Sequence, residues 1–260
     1  HSTCSDFCSL LSWPRSAFAG IARSPLNGFH GRIIGGGFAE QGKYPSQLSL
    51  QYFESHTCGA SIISETFVLT ASHCVDGRSP SDLSVRSGSV NVNDGTRHQV
   101  TNIIMHESYD ALDSWNNDIA ILEVATPFVY GPNEQPITLP NQGDEPAVGS
   151  AATVIGWGRI ANGGSLSTAL KEVVIEIRDQ TLCQSVYNGI GYDVYPGQIC
   201  ADVPEGNLGS CNGDSGGPLL VDGVVVGLVS WASGCATPGY PTVYNRVAYY
   251  RDWINQQTGV

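Results

Sequence analysis

The chain has 260 residues, of which 41% are apolar and only 14% are charged, and its formal net charge is −12. An acidic balance disfavours nucleic-acid binding, and no apolar run approaches the roughly 18 residues of a membrane-spanning helix. The charge therefore fits either simple solubility or a preference for cationic partners.

The first 32 residues form a segment that is rich in Ser, Pro and Gly. Its only apolar cluster, at 7–11, is too short and interrupted for the apolar region of a signal peptide. Because the chain opens with His1 rather than Met, we expect a signal peptide to have been removed already. The segment ends in Arg32, which is followed by IIGG.

From Ile33 onward, short apolar and alternating runs are separated by turn residues, which predicts strands. The predicted strands lie in SQLSLQY, SIISETFVLTASHC (two strands), NNDIAILEV, ATVIGWG, LKEVVIEI and GPLLVDGVVVGLVSWAS, where VDG is a hairpin turn. Only RVAYYRDWINQQTG has apolar residues at helical spacing, and Gly259 lies near its end. The body is predicted to be all-β, a barrel or a sandwich, with one terminal helix.

The chain has eight cysteines, and none of them form a CxxC pair, so a zinc site or a redox dithiol has little support. An even number at wide spacing predicts disulfides and hence an oxidising, extracellular compartment. The cysteines are Cys4, Cys8, Cys58, Cys74, Cys183, Cys200, Cys211 and Cys235.

Residues 209–220, GSCNGDSGGPLL, surround Ser215 with glycines. A serine hydroxyl is a weak nucleophile that needs a base to accept its proton and donors for the oxyanion that forms. Glycines allow the backbone to turn its amides toward one point. Taken alone, the segment fits either a surface turn or a serine that the backbone exposes for chemistry.

Two further segments carry a histidine and an aspartate. His73, in LTASHC, ends an apolar strand, and taken alone it fits a packed structural histidine. Asp118, in NNDIAIL, enters an apolar strand, where a carboxylate is costly without a partner; it also fits a turn cap. In the order His, Asp, Ser, and together with IIGG, GWG, SWASGC and the terminal helix, these segments resemble the chymotrypsin-like (S1) serine proteases over residues 33–260.

The resemblance implies two antiparallel six-stranded Greek-key barrels, with the active site between them and a C-terminal helix. It implies that Ser215 is the nucleophile and that His73 is the general base and then the general acid. Asp118 would orient His73, and the amides of Gly213 and Ser215 would form the oxyanion hole. No cofactor is expected.

The family's disulfides imply the pairs Cys58–Cys74, Cys183–Cys200 and Cys211–Cys235. Cys4 and Cys8 remain, and they would pair with each other or with another molecule.

By the same resemblance, residues 1–32 are an activation segment and 33–260 a protease domain. Cleavage of the Arg32–Ile33 bond would free an amine that pairs with the carboxylate of Asp214, because a buried carboxylate needs a counter-charge. The chain as written is therefore expected to be a zymogen. The alternative is that Arg32 is only a linker arginine.

The resemblance also predicts the pocket for the side chain that precedes the scissile bond. Gly209 falls at its floor, where trypsin-like members have an aspartate, and Ser210 lies beside it. Ala232 and Thr242 fall on the walls, where they would narrow the pocket. We therefore expect cleavage after Ala, Val or Leu, less clearly after Phe or Tyr, and poorly after Arg or Lys. A separate trypsin-like protease would then activate the chain.

Residues 230–232, SWA, are expected to pair as an edge strand with the extended substrate backbone. Ser230 would also support Asp118, while Trp231 fits core packing as well. The loop SGSVNVNDGTRHQ has Asp94 but no glutamate, so we expect no calcium requirement.

The expected partners are protein or peptide substrates, the activating protease and protein inhibitors of proteases, and the chain is expected to be a secreted monomer. One alternative is a binding module that has lost catalysis, which the presence of His73, Asp118 and Ser215 disfavours. Another is a cascade protease with one target. A leader of only 32 residues favours a digestive or broad extracellular role.

Overall fold

The structure is a computed structural model that describes residues 34–260. The predicted activation bond Arg32–Ile33 and the cysteines Cys4 and Cys8 lie outside the described residues. After a short first strand, β1 (Gly37–Phe38), the described chain folds into two β-barrels, one in each half of the sequence.

Six strands of the first half close into an antiparallel barrel in the order β2-β3-β4-β7-β6-β5. Their bounds are β2 Gln47–Tyr52, β3 Ser55–Ile62, β4 Phe67–Thr70, β5 Leu83–Ser87, β6 Thr96–Met105 and β7 Ala120–Val124. Leu48, Leu50 and Leu122 are fully buried inside it. Burying one such side chain contributes about 1.5–3 kcal/mol.

The second half forms the other barrel in the order β9-β10-β13-β12-β11-β8, which the β8–β9 pairing closes. Its strands are β8 Ala151–Gly156, β9 Lys171–Ile177, β10 Gln198–Asp202, β11 Pro218–Val221, β12 Val224–Trp231 and β13 Thr242–Arg246. Two closed six-stranded antiparallel barrels confirm the predicted fold.

The ends of the described chain cross to the opposite barrel. Near the N-terminal end, β1 pairs with β9 of the second barrel, with Gly37 opposite Glu172. Near the C-terminal end, Trp253 Nε1 donates to Glu107 Oε2, 3.0 Å away in the first half. Trp253 belongs to a buried cluster with residues of both barrels, such as Ile121 and Leu228. The ends therefore help to hold the barrels together.

The described chain has a helix that the sequence analysis did not predict, α1 (Gln180–Asn188). Asp179 caps it, because its side chain accepts a hydrogen bond from Leu182 N at 2.8 Å. Cys183 and Tyr187 lie one turn apart and are buried. The prediction of a single, terminal helix was therefore wrong: a nine-residue helix offers too short an apolar period to stand out among strands.

The predicted terminal helix is present as α2 (Arg251–Thr258). Residues 247–249, which carry part of the apolar period, form a separate 3₁₀ turn before it. Gly259 ends α2 with a left-handed φ of 73°, as its position after the last apolar residue predicts.

Three disulfides are present, and they are the three pairs that the family resemblance implies for the body of the chain. Cys58–Cys74 ties β3 to the turn that carries His73. Cys183–Cys200 ties α1 to β10, and Cys211–Cys235 ties the segment before Ser215 to the segment after β12. Each crosslink typically stabilises a fold by about 2–4 kcal/mol.

Candidate active site

The pairing of β4 with β7 brings His73 and Asp118 together. Thr70 lies opposite Ala120, so the turn after β4 and the residues before β7 meet at one end of the first barrel. Asp118 Oδ1 accepts from the backbone N–H of His73 at 2.8 Å, and Oδ2 lies 2.7 Å from His73 Nδ1. The carboxylate thus fixes both the backbone and the ring of the histidine.

Asp118 is fully buried, so its charge needs polar partners. Its Oδ2 also accepts from Ser230 Oγ at 2.6 Å, the contact predicted for Ser230. Burial lowers the pKa of His73, but the charge of Asp118 and the hydrogen bond to it outweigh burial and raise the pKa above its ordinary value. His73 is therefore a stronger base than an ordinary histidine.

Ser215 lies in the turn before β11, on the second barrel, and lines the same cavity as His73. No hydrogen bond joins Ser215 Oγ to His73 Nε2 within residues 34–260. Such bonds are often long in the free enzyme and tighten when the substrate binds. The structure thus places the three predicted triad residues at the junction of the barrels.

The amides predicted to form the oxyanion hole are free of partners. Within the described chain, neither the N–H of Gly213 nor that of Ser215 donates a hydrogen bond. Gly213 has a φ of +96°, and a Cβ atom there would lie 2.6 Å from Leu166 Cδ2, so the position requires glycine. Both N–H groups are therefore available to a ligand.

A second histidine supports this loop and escaped the sequence analysis. His56 Nε2 donates to the carbonyl of Gly213 at 2.9 Å, and its Nδ1 lies 2.8 Å from Ser49 Oγ. Burial lowers the pKa of His56, an effect that the hydrogen bond to Gly213 opposes only in part. The ring is therefore neutral: Ser49 Oγ donates to Nδ1, and the N–H at Nε2 holds the carbonyl oxygen of Gly213 in place.

Asp214 is fully buried beside Ser215. Its carboxylate accepts from Gly158 N at 2.7 Å and Cys211 N at 2.9 Å. Burial, opposed by these two hydrogen bonds, raises the pKa of Asp214 to about 6. Among residues 34–260, no cationic group lies within ion-pair distance of it.

The start of the described chain packs beside this region. Ile34 forms a β-bridge with Gly209, whose N–H donates to Ile34 O at 3.3 Å. A Cβ on Gly35 would lie 2.0 Å from Leu208 Cδ2, so only glycine fits. The first described residue, Ile34, therefore lies beside the loop that leads to Ser215.

The cavity beside Ser215 has a volume of about 390 Å³ and includes Ser210, Ala232 and Thr242 in its lining. Ser210 Oγ lies 3.4 Å from both Thr242 Oγ1 and Tyr244 Oη. None of the lining residues among 34–260 is acidic. Gly209, predicted at the floor, is not itself in the lining but directly precedes Ser210.

The predicted edge strand at 230–232 lies at the end of β12. β12 lies between β11 and β13, so most of it is internal to the barrel. The pairing with β11 ends at Leu228 opposite Pro218, however, while Trp231 still pairs with Val243 on the other side. Val229 still bonds to Gly216 and Gly217, so only the residues from Ser230 onward extend past this pairing with one side open.

Trp115 is a further cavity residue that the sequence analysis missed. It stacks on Trp231, with ring centroids 5.8 Å apart, and its φ of 50° is left-handed. A bulky residue rarely adopts this conformation, and such strain is often found at functional sites. The loop at 106–115 had no recognisable motif, so only the fold identifies Trp115.

The loop considered for calcium contains Asp94, which is exposed. In the described part of the chain, the one group of close potential metal ligands is Cys58, His73 and Cys74. Its two sulfurs are joined in a disulfide. That the chain needs no calcium stays a prediction.

Comparisons with known proteins agree with this arrangement. The family described as Trypsin matches residues 33–254. The chain is 41% identical to "Trypsin Blo t 3" of Blomia tropicalis, over 86% of this chain and 85% of that protein. It is 40% identical to "Trypsin-1" of Astacus astacus (85% and 98%) and 40% identical to "Fibrinolytic enzyme, isozyme C" of Lumbricus rubellus (87% and 100%).

Proposed function

Because the chain belongs to the trypsin family of serine endopeptidases, we propose that it is a secreted zymogen that, once activated, cleaves proteins after small to medium apolar residues. The reaction would proceed through an acyl-enzyme on Ser215. The observation that carries the specificity is the absence of an acidic side chain from the cavity lining.

In the proposed mechanism, His73 accepts the proton of Ser215 as the hydroxyl attacks the carbonyl carbon of the substrate. The imidazolium that forms is stabilised by the buried carboxylate of Asp118. The N–H groups of Gly213 and Ser215 donate to the oxyanion. His73 then returns the proton to the leaving amine, and water hydrolyses the acyl-enzyme by the same route.

The neutral pocket argues against cleavage after Arg or Lys. A cationic side chain in this cavity would lose its hydration without meeting a carboxylate, and an uncompensated buried charge is costly. The hydroxyls of Ser210 and Thr242 offer hydrogen bonds but no charge. The opposing candidate is cleavage after Arg or Lys, which the names of two relatives favour.

A series of peptides that differ only in the residue before the cut separates the two candidates. The activated enzyme should give the highest kcat/KM with Ala or Leu and the lowest with Arg. A series led by Arg would reject the neutral-pocket proposal and would make self-activation feasible.

Thr242 should limit the size of the accepted side chain, because it is buried in the cavity wall. We expect Thr242→Gly to raise the ratio of kcat/KM for Phe over Ala by roughly 10- to 100-fold, since one methylene in such a pocket is worth about 1–3 kcal/mol. The matched control is Thr242→Val, which keeps the volume and should leave the ratio nearly unchanged. An equal change in both variants would mean that the Thr242 hydroxyl, not its size, matters.

The proposed zymogen consists of an activation segment, 1–32, and a protease domain, 33–260. Two observations support it: the family match begins at residue 33, and the buried carboxylate of Asp214 lacks a cation among the described residues. The expected effect of Asp214 on stability agrees with this proposal. Since the folded pKa of Asp214 is raised, ionisation of this group lowers stability as the pH rises from its unfolded value through about 6. The amine of Ile33 would offset that loss.

Arg32→Gln should block activation. Untreated chain should be inactive, a trace of trypsin should activate it, and the variant should stay inactive after the same treatment. Arg23→Gln, another arginine of the leader, is the matched control and should activate normally. Activity of untreated chain with the 32–33 bond intact would contradict the zymogen proposal.

The three disulfides support an oxidising, extracellular compartment. No helix among residues 34–260 has the length and apolar character needed to span a bilayer. We further propose that the enzyme acts as a monomer, needs no metal, is activated by a trypsin-like protease and is controlled by protein inhibitors. A broad digestive or extracellular role is favoured over cleavage of a single target; hydrolysis of several unrelated proteins would support it.

A further inference from the structure

The residue before Gly213 has an unanchored side-chain amide. Asn212 is exposed at the rim of the cavity. Its Oδ1 lies near only the sulfurs of the Cys211–Cys235 disulfide, at 3.9 and 3.6 Å. No nitrogen or oxygen atom of residues 34–260 forms a hydrogen bond with this side chain. Hydrogen bonds therefore hold the backbone carbonyl of Asn212, through Arg159 N at 2.8 Å, but not its side-chain amide.

The backbone nitrogen of the next residue, Gly213, also forms no hydrogen bond within the described chain. The N–H of Gly213 donates to no group of the described chain, and glycine has no Cβ to shield the nitrogen. Covalent connectivity keeps Asn212 Cγ close to this nitrogen, so that bond formation closes a five-membered ring. An Asn–Gly pair with both groups free is suited to cyclisation.

We infer that Asn212–Gly213 is a deamidation site whose reaction consumes an oxyanion-hole donor; the functional part of this inference rests on the proposed function. Hydroxide removes the proton of Gly213 N, and the nitrogen attacks Asn212 Cγ. The Cγ–Nδ2 bond breaks and ammonia leaves, taking a proton from water. Water then opens the succinimide at either carbonyl, giving an aspartyl or an isoaspartyl residue. The net change is the uptake of one water and the release of one ammonia.

Deamidation at this site would lower catalytic activity, because it removes or displaces an oxyanion-hole donor. In the succinimide, Gly213 N carries no proton and cannot donate to the oxyanion. In the isoaspartyl product, an added backbone methylene displaces the N–H from the position that His56 helps to fix at Gly213 O. Loss of one oxyanion donor lowers kcat by roughly 10²–10³-fold. The succinimide and isoaspartyl forms should therefore be nearly inactive.

Two other Asn–Gly pairs in the described chain serve as internal comparisons. At Asn188–Gly189 the glycine N–H donates to Ser185 O at 3.3 Å at the end of α1, so this pair should be protected. At Asn162–Gly163 both residues are exposed and Gly163 has a φ of +73°. That pair should also react, but its nitrogen is not an oxyanion donor.

The chemical test is peptide mapping of the full chain carrying Ser215→Ala, which prevents self-digestion, after incubation at 37 °C and at neutral and alkaline pH. We expect Asn212 to convert to aspartyl and isoaspartyl forms, faster at alkaline pH, while Asn188 keeps its amide. The denatured, reduced chain gives the rate without structure. Retention of the Asn212 amide under conditions in which it converts in the denatured chain would overturn the inference.

The functional test compares activated wild-type enzyme with Asn212→Gln, whose cyclisation requires a larger and slower ring closure. Each protein's kcat is followed relative to its own starting value. We expect the wild type to lose activity in proportion to the succinimide and isoaspartyl content at 212, and the variant to hold its initial value for longer. Equal rates of loss, or conversion at 212 without loss, would contradict the coupling.

A peptidyl boronic acid tests whether one N–H serves both reactions. Its tetrahedral adduct on Ser215 should accept from Gly213 N–H and slow conversion at Asn212 more than at Asn162, which lines the same cavity but holds no oxyanion donor. Equal protection of both sites, or of neither, would contradict the shared role. If the activated chain hydrolyses no peptide, the proposed function fails, whereas the mapping of Asn212 still decides the chemical part.

Discussion

Replacing Ser215 by alanine should lower kcat by about 10⁶-fold, the loss seen when a serine nucleophile of this kind is removed. The hydroxyl is the only group of the proposed mechanism that bonds covalently to the substrate. Residual hydrolysis should still exceed that in water by about 10³–10⁴-fold, because the oxyanion donors and substrate binding remain. The measurement is kcat on the best peptide of the series, with enzyme activated at 32–33.

The Ser215 substitution should leave the fold intact, since it removes one oxygen at a cavity wall. Unchanged thermal stability and retained binding of an uncleaved peptide would establish this. Ser81→Ala, at an exposed position on the first barrel, is the matched control and should keep full activity. A Ser215→Ala enzyme with more than a few per cent of the activity would reject Ser215 as the nucleophile.

Asp118→Asn should lower kcat by about 10⁴-fold near neutral pH. The amide has nearly the shape of the carboxylate, so the buried site should not collapse. An amide N–H that faces His73 Nδ1 makes that nitrogen an acceptor and leaves the proton on Nε2. His73 then cannot accept the proton of Ser215. Asp252→Asn, at an exposed position in α2, is the charge-matched control and should have no comparable effect.

The pH profile adds a readout that a merely structural role of Asp118 would not move. In the wild type, kcat/KM should fall as the pH drops through the pKa of His73, because the protonated ring cannot act as a base. That fall should lie above the 6.5 of an ordinary histidine, since Asp118 raises the pKa. In Asp118→Asn it should move to lower pH. If kcat/KM of Asp118→Asn fell at the same pH as that of the wild type, Asp118 would not be the group that raises the pKa of His73.

The proposed triad residues could be named from the sequence because each lies in a distinctive segment of several residues, and their order specifies one family. The closed barrels followed from that family, whereas strand spacing alone left a sandwich open. His56 could not be found in this way. Its bond to Gly213 joins residues 157 positions apart, and an isolated histidine has no local signature. Trp115 escaped for a similar reason, since its left-handed backbone is a property of the folded loop.

The sequence says less about the proposed specificity pocket than about the proposed triad. Position-by-position comparison with a family identifies which residue occupies a place but not which atoms line the space. Ser210 and Thr242 line the cavity, whereas Gly209 faces Ile34. The open side at 230–232 depends on where β11 ends, which tertiary pairing sets and the sequence does not show.

The exchange of chain ends between the barrels has a consequence for modularity. Gly37 is sequentially next to the first barrel but adds to the sheet of the second, while Trp253 follows the second barrel and hydrogen-bonds to the first. Neither barrel is complete by itself: a cut at the connection between them would separate each barrel from the strand or helix of the other half that packs against it. Recombination can therefore transfer this protease as a whole or exchange its surface loops, but it cannot shuffle its halves.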